Sequence, residues 1–253
     1  MDFEQVLSHH LVDHKLFHVA VGPLDLGLSP LILTMWAASA IAILTLTFAA
    51  RAGAGAGRVV RGMIEPVVLF VRDDMVSPVF GRHTQAYLPY FLTLFFFLLT
   101  CNLLGLVPGT SGVTANIAVT ASLAICTFAL MQFAGIKEQG FVSYVKHIVP
   151  GGVPLVLWPL LFVIEVFGMC AKCLSLCIRL FANMLAGHVV VLSFLCLIFI
   201  FAEMGRAVGF GVSPAAVGLA LFISLMDVLV SFLQAYIFTF LTVLFVGGAV
   251  HPH

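Results

Sequence analysis

Four ionisable residues stand in stretches of sequence otherwise suited only to a lipid interior: Glu165, Lys172, Arg179 and Asp227. Asn183, His188 and Gln234 join them as polar groups in the same apolar runs. A charge inside a membrane-spanning helix costs a few kcal/mol or more, so such residues usually mark a functional path. At about 100° per residue, Glu165, Lys172 and Arg179, seven apart in turn, fall on one helical stripe. Asn183 follows one turn beyond Arg179 on nearly the same face, where an amide can hold a guanidinium without neutralising it. His188, nine residues past Arg179, falls on the opposite face. Asp227 and Gln234, again seven apart, share a face of a second helix.

These residue types divide into two chemistries. Imidazole and carboxylate groups both pass protons near neutral pH. A guanidinium does not, because it stays charged throughout the accessible range. It can instead oppose a mobile carboxylate and keep it ionised. The helix pair thus combines proton-handling groups with a permanent cation, which is the chemistry of proton access plus a barrier to leakage. Plainer readings exist for each residue. Arg179 can snorkel, Lys172 can lie near a membrane surface, and Glu165 can pair with Lys172. His188 can be a hydrogen-bonded packing residue, and Gln234 can serve as helix–helix glue.

The elements that must position these groups follow from composition. Of 253 residues, 62% are hydrophobic and 9% charged, too few charges to cover the surface of a soluble fold. Apolar runs of roughly 20 residues without alternation point to helices rather than a barrel. The fold class is therefore all-α and polytopic, with about five transmembrane helices. Spans are expected at about 28–50, 87–107 and 114–134, followed by two long stretches at 155–201 and 214–247. The 155–201 stretch exceeds one bilayer crossing, which predicts a strongly tilted helix or a crossing plus a broken extension. Between the first two spans, 59–80 mixes charges with apolar residues in the pattern of an amphipathic helix on the membrane surface. Residues 1–27 form a separate N-terminal segment, and 28–253 a single integral-membrane domain.

Orientation follows from basic residues. Arg51, Arg58, Arg61, Arg72 and Arg82 fall between the first two spans, and Lys137 and Lys146 after the third. Both segments are expected on the cytoplasmic side. The N-terminus and the 108–112 and 203–213 connections are then outside, and the C-terminus is cytoplasmic. Zero net charge implies no nucleic-acid partner, and residues 1–27 are too polar and acidic for a cleaved signal peptide.

Two further groupings bear on metals. Cys170, Cys173 and Cys177 share one helix face, but no His or acid completes a ligand set, so no metal site is assigned there. His10, His14 and His18, with His9 beside them, are spaced to line one face of an N-terminal helix. They keep open an alternative function: a polytopic metal- or haem-handling membrane protein, or a small-solute transporter. The plainer reading is an amphipathic N-terminal helix, and no cofactor is expected.

The run from Ser175 through Arg179, Asn183 and Gly187 to His188 resembles the signature of the a subunit of F-type ATP synthase. The segment 227–242, with Asp227 and Gln234, is similar to that family's last helix. Asn102 to Pro108 and Thr114 to Thr120 are similar to its middle hairpin. The resemblance covers about residues 85–250, and its Arg-Leu-Phe-x-Asn-Met-x-Ala-Gly string is the most specific part. It implies a non-catalytic stator of a membrane motor, facing a rotating ring of c subunits, held by peripheral-stalk b subunits and lying in a bacterial inner membrane. It further implies that Arg179 separates two proton half-channels and attracts the ring carboxylate. Asn183 and Gln234 match polar residues near that arginine, and Glu165 matches an acid of the cytoplasmic-side channel. His188 and Asp227 match the titratable pair of the outer half-channel, with acid and imidazole exchanged relative to many bacterial members and Asp in place of the usual Glu. The resemblance assigns no role to Lys172.

Overall fold

A computed structural model describes residues 20–21, 24–25, 29–51, 56–107, 112–147, 154, 157–204 and 206–250. Eight α-helices run through the described residues: α1 Pro30–Arg51, α2 Ala56–Phe70, α3 Ser77–Phe80, α4 Thr84–Gly105, α5 Ile117–Gln139, α6 Phe141–His147, α7 Trp158–Met204 and α8 Arg206–Val250. Five helical stretches are long and apolar enough to cross a membrane, as expected. The protein is thus an all-α, polytopic membrane protein. The one addition is a pair of two-residue strands, Ala20–Val21 and Leu24–Asp25, joined antiparallel. The His9, His10, His14 and His18 cluster and most of the 1–27 segment lie outside the described residues.

The start of α1 shows why the first span begins where it does. Pro30 takes the first helical position, where a missing N–H costs nothing. Ser29 caps it, its Oγ accepting from the Leu31 N–H at 3.2 Å. Hydroxyls within the apolar helices donate back to the preceding turn. Examples are Thr34 to the Pro30 carbonyl at 2.7 Å, Thr100 to Phe96 at 2.7 Å and Ser193 to Val189 at 2.6 Å. In lipid no water would satisfy those donors, so the helix does.

The segment expected to be an amphipathic helix is helical through α2, with Arg58, Arg61 and Glu65 exposed and Ile64, Val67 and Val68 half-buried. Arg61 and Glu65 pair across one turn at 3.2 Å. Beyond it, a wide π-type turn at Val71–Val76 buries Val71, Met75 and Val76.

One expectation at the end of the chain is corrected and one pair of alternatives is narrowed. The 203–213 connection is not a loop: α7 runs to Met204 and α8 begins at Arg206. The helix α8 carries Pro214 internally. Long apolar helices accept Gly and Pro where neighbouring groups re-satisfy the freed backbone. For the 155–201 stretch the tilted-helix alternative is favoured, since α7 is one helix of 47 residues from Trp158 to Met204. At 1.5 Å per residue it is about 70 Å long, so crossing a core of roughly 30 Å demands strong tilt.

The chain packs as two compact units. The first takes its described residues from Met1–Thr47, Phe96–Asn116 and Phe181–Ala235, the second from Phe48–Phe95, Ile117–Leu180 and Tyr236–His253. The first is centred on Leu98, Cys101, Val113, Met184, Ala216 and Ala235. The second is centred on aromatic packing, with the Phe80 ring 4.7 Å from Tyr87 and 5.6 Å from Phe91. Glycines set the closest approaches within each unit. A β-carbon at Gly105 would strike the Met184 methyl, and one at Gly247 would strike Val79. Gly105→Leu is expected to destabilise the first unit by about 1–3 kcal/mol through overpacking. The additional change Met184→Ala should recover most of that loss, both read as thermal unfolding of the detergent-solubilised complex.

Candidate functional site

Within the first unit, Asn183 and His188 on α7 and Asp227 and Ser231 on α8 meet beside Leu106 and Met184. They enclose a cavity of about 10 Å³, the room of roughly one water. Two glycines make the meeting possible. A β-carbon at Gly187 would lie 2.7 Å from Asp227 Oδ2 and 3.0 Å from its Cγ, so only a bare backbone lets that carboxylate lie against α7. A β-carbon at Gly112 would lie 2.9 Å from His188 Nε2, so the imidazole is pressed against the segment that follows α4. Buried Asn102 donates from Nδ2 to the Ser231 carbonyl at 3.2 Å and ties α4 to α8 one turn beyond Asp227. The unit therefore holds an acid and an imidazole beside a pocket of water-molecule size, an arrangement able to pass a proton between them.

Sequence leaves Asp227 free to approach His188 or Arg179, and the structure brings Asp227 and His188 into one cavity together with Asn183. Gln234 lies in the same unit and is half-buried, but it does not line that cavity. Sequence alone does not single out Asn102, Ser231 or the glycines at 112 and 187 as part of the site. The signal available was Asn102 itself, a polar side chain in the apolar run of α4.

Arg179 and Glu165 belong to the second unit. Arg179 is half-buried, and its Nη2 donates to Ser175 Oγ one turn earlier at 3.5 Å. Among the described residues no carboxylate pairs with it. Glu165 and Lys172 line one side of a larger cavity of about 210 Å³, whose other walls include Met131, Gln139, Tyr144 and Phe245. The plain reading in which Glu165 simply pairs with Lys172 is not found.

The walls of this larger cavity are fixed by hydrogen bonds that sequence does not single out. Gln139 Nε2 donates to the Ala249 carbonyl in the last turn of α8 at 2.6 Å. The Tyr144 hydroxyl donates to Gln132 Oε1 at 2.6 Å, and Gln132 Nε2 reaches Met169 Sδ at 3.8 Å. Gly140, at φ +80°, turns the chain from α5 into α6 and delivers Tyr144 onto Gly135. Burial pushes the Tyr144 phenol above its ordinary range, so at neutral pH it is a donor rather than a proton carrier. Cys173 and Cys177 are buried while Cys170 is exposed. Among the described residues no group of three His, Cys, Asp or Glu could hold a metal.

The family model for the ATP synthase A chain matches residues 32–247. The chain belongs to the ATP synthase A chain family. It is 38% identical to ATP synthase subunit a of Chloroherpeton thalassium over 96% of this chain and 75% of that protein. It is 40% identical to ATP synthase subunit a of Myxococcus xanthus over 92% of this chain and 77% of that protein. ATP synthase subunit a 2 of Chlorobaculum tepidum is 36% identical over 96% and 72%. The expectation drawn from the Arg179 motif, a proton-channel stator subunit of F-type ATP synthase, thus holds at the level of the family. The metal-handling and solute-transport alternatives are not favoured by a family match that spans all five long helices.

Gly187→Ala is expected to displace the Asp227 carboxylate and slow ATP-driven proton pumping by at least about tenfold while the complex still assembles. Pumping by inverted membrane vesicles, set against immunodetected subunit content, checks this.

Proposed function

We propose that this subunit carries protons along two half-channels, one from each side of the membrane, and that Arg179 separates them. The observation that carries the reading is the cavity shared by Asn183, His188 and Asp227 on a chain of this family. Asp227 and His188 form the relay of the outer half-channel. The acid and the imidazole exchange a proton through a space that one water can fill. Glu165 receives protons on the cytoplasmic side from the larger cavity. Asn183 and Gln234 are the polar residues that the family pattern associates with such an arginine, amides that hydrogen-bond without neutralising a charge.

Arg179 acts as barrier and attractor. A guanidinium holds its proton throughout, so it cannot relay one, yet it draws a deprotonated carboxylate on a passing ring subunit. Its lack of a carboxylate partner among the described residues supports that role, because a cation already neutralised would attract nothing. Each elementary charge moved through 100 mV gains about 2.3 kcal/mol, and a leak past Arg179 would dissipate it without torque.

The partners in this reading are the c ring, the peripheral-stalk b subunits and the rest of the ATP synthase complex. The chain lies in the inner membrane of a bacterium, with residues 1–27 outside, 28–253 as one integral-membrane domain and the C-terminus in the cytoplasm. It is not a catalyst on its own.

Arg179→Ala is expected to abolish ATP-driven proton pumping in membrane vesicles, and normal pumping by that variant would refute the role of Arg179. Asp227→Asn should slow pumping by at least about tenfold with assembly retained, since an amide cannot accept the proton. Unchanged rates there would exclude Asp227 from the relay.

A further inference from the structure

The cavity of about 210 Å³ that Glu165 lines has its rim where α5 and α8 end. Gln139 is the last residue of α5, Tyr144 lies in the short α6 that follows, and Gly248 and Ala249 belong to the last turn of α8. The Gln139 amide donates to the Ala249 carbonyl at 2.6 Å and fixes that rim. Gln139 is half-buried, but its neighbour Glu138 is exposed. The Tyr87 hydroxyl of α4 donates to Glu138 Oε1 at 3.4 Å, and the Tyr87 ring is itself stacked on buried Phe80 at 4.7 Å. The hydroxyl thus occupies one carboxylate oxygen and leaves the other to the bath. Helix stability does not ask for an acid here. In the last turn of α5 a negative charge meets the negative end of the helix dipole, where the adjacent Lys137 suits and Glu138 does not.

We propose that Glu138, held by Tyr87 at the cytoplasmic rim of this cavity, collects protons from the bath and supplies them to Glu165. The proposal rests on the reading of Glu165 as the proton acceptor on the cytoplasmic side. Supply is a constraint at neutral pH. With an encounter limit of about 10⁹–10¹⁰ M⁻¹s⁻¹, protons at about 10⁻⁷ M reach one acceptor only about 10²–10³ times per second. A recessed group is met less often than an exposed one. A carboxylate at the rim enlarges the target, and its charge raises the local concentration of cations, protons included. In one cycle a hydronium ion or a buffer acid gives its proton to the free oxygen of Glu138. The carboxyl group then passes a proton to a water at the rim and returns to carboxylate. The excess proton moves along hydrogen-bonded water to Glu165, which it neutralises.

The surrounding groups leave this task to Glu138. Arg82 and His83 are exposed, five and four positions before Tyr87, and Lys137 is exposed beside Glu138. None of the three lines the cavity. A charged arginine or lysine has no lone pair with which to take up a proton. His83 can take one up, but it stands ahead of α4. Glu138 is next in the chain to the cavity wall, its Cα about 3.8 Å from that of Gln139. Inside, the Tyr144 hydroxyl is committed to Gln132 at 2.6 Å, and the Lys172 ammonium lies over the Phe245 ring, 5.7 Å from its centroid. Among the described residues Glu165 is the one carboxylate on the lining, so it is the acceptor that a proton entering at the rim finds.

The test is ATP-driven proton pumping by the complete complex in inverted membrane vesicles, where the cytoplasmic side faces the bath. Rates are taken at mildly alkaline pH and equal ionic strength, with an impermeant buffer added outside at low or at high concentration, each as a fraction of wild type. A mobile buffer delivers protons by itself, so it replaces a collecting group but not a structural one. Glu138→Gln should pump at least about threefold below wild type in low buffer and approach wild type in high buffer. Tyr87→Phe, which frees the carboxylate, should show a smaller deficit of the same kind, and it serves as the test if Glu138→Gln does not assemble. Asp74→Asn, at an exposed acid on the turn after α2, should show none. Equal slowing of Glu138→Gln in both buffers, no slowing in either, or the same buffer-dependent loss in Asp74→Asn overturns the proposal and leaves Glu138 a contact between α4 and α5. Normal pumping by Glu165→Gln would instead overturn the reading of Glu165 on which the proposal rests.

Discussion

Hydrocarbon solvates neither a charge nor an open backbone group, and nearly every feature of this chain answers to that fact. The backbone answers by closing into helices of up to 47 residues. Threonines and serines answer by returning their protons to the previous turn of the same helix. The ionisable side chains cannot answer within one helix, because their charges need partners or water. They are therefore drawn to places where helices meet, and Glu165, Arg179, His188 and Asp227 are all half-buried on helices whose large apolar side chains are widely exposed. That inversion, polar inward and apolar outward, is what makes a water-sized path possible inside a membrane protein.

Bringing polar groups together inside each unit requires backbones to approach more closely than ordinary side chains allow. Glycine supplies this at 187 beneath Asp227 and at 112 beneath His188, and again at 105 and 135 against Met184 and Tyr144. Small residues at membrane helix contacts are commonly explained by packing alone. At 187 and 112 the group accommodated is titratable. Space denied to a methyl group is space in which a carboxylate or an imidazole can turn, so the same substitution tests packing and proton transfer at once.

The two cavities use polar groups differently. In the first unit, acid and imidazole share a space of about 10 Å³, too small for a hydrated ion and large enough for one water. In the second, a carboxylate and an ammonium share about 210 Å³, which admits several waters. A narrow space selects protons by size, because only transfer along hydrogen bonds can cross it. Lys172 lines the wide space together with Glu165.

Much of this was legible in the sequence, and the limits of legibility have a physical pattern. Spans follow from local hydropathy, so five long apolar helices were readable from runs of residues alone. Arg179, His188 and Asp227 were readable as anomalies of cost. The connection at 203–213 was misread because it was placed as the gap between two apolar stretches, and a helix does not end where hydropathy falls. There α7 runs to Met204 and α8 begins at Arg206. What stayed hidden was long-range pairing: Asn102 with the Ser231 carbonyl, Gln139 with the Ala249 carbonyl, Lys172 with the Phe245 ring. Each joins residues more than 70 positions apart, and no periodicity along one helix encodes its partner on another. Spacing on α7 placed Lys172 in line with Glu165, but only the approach of α8 shows that the Lys172 ammonium lies over the Phe245 ring.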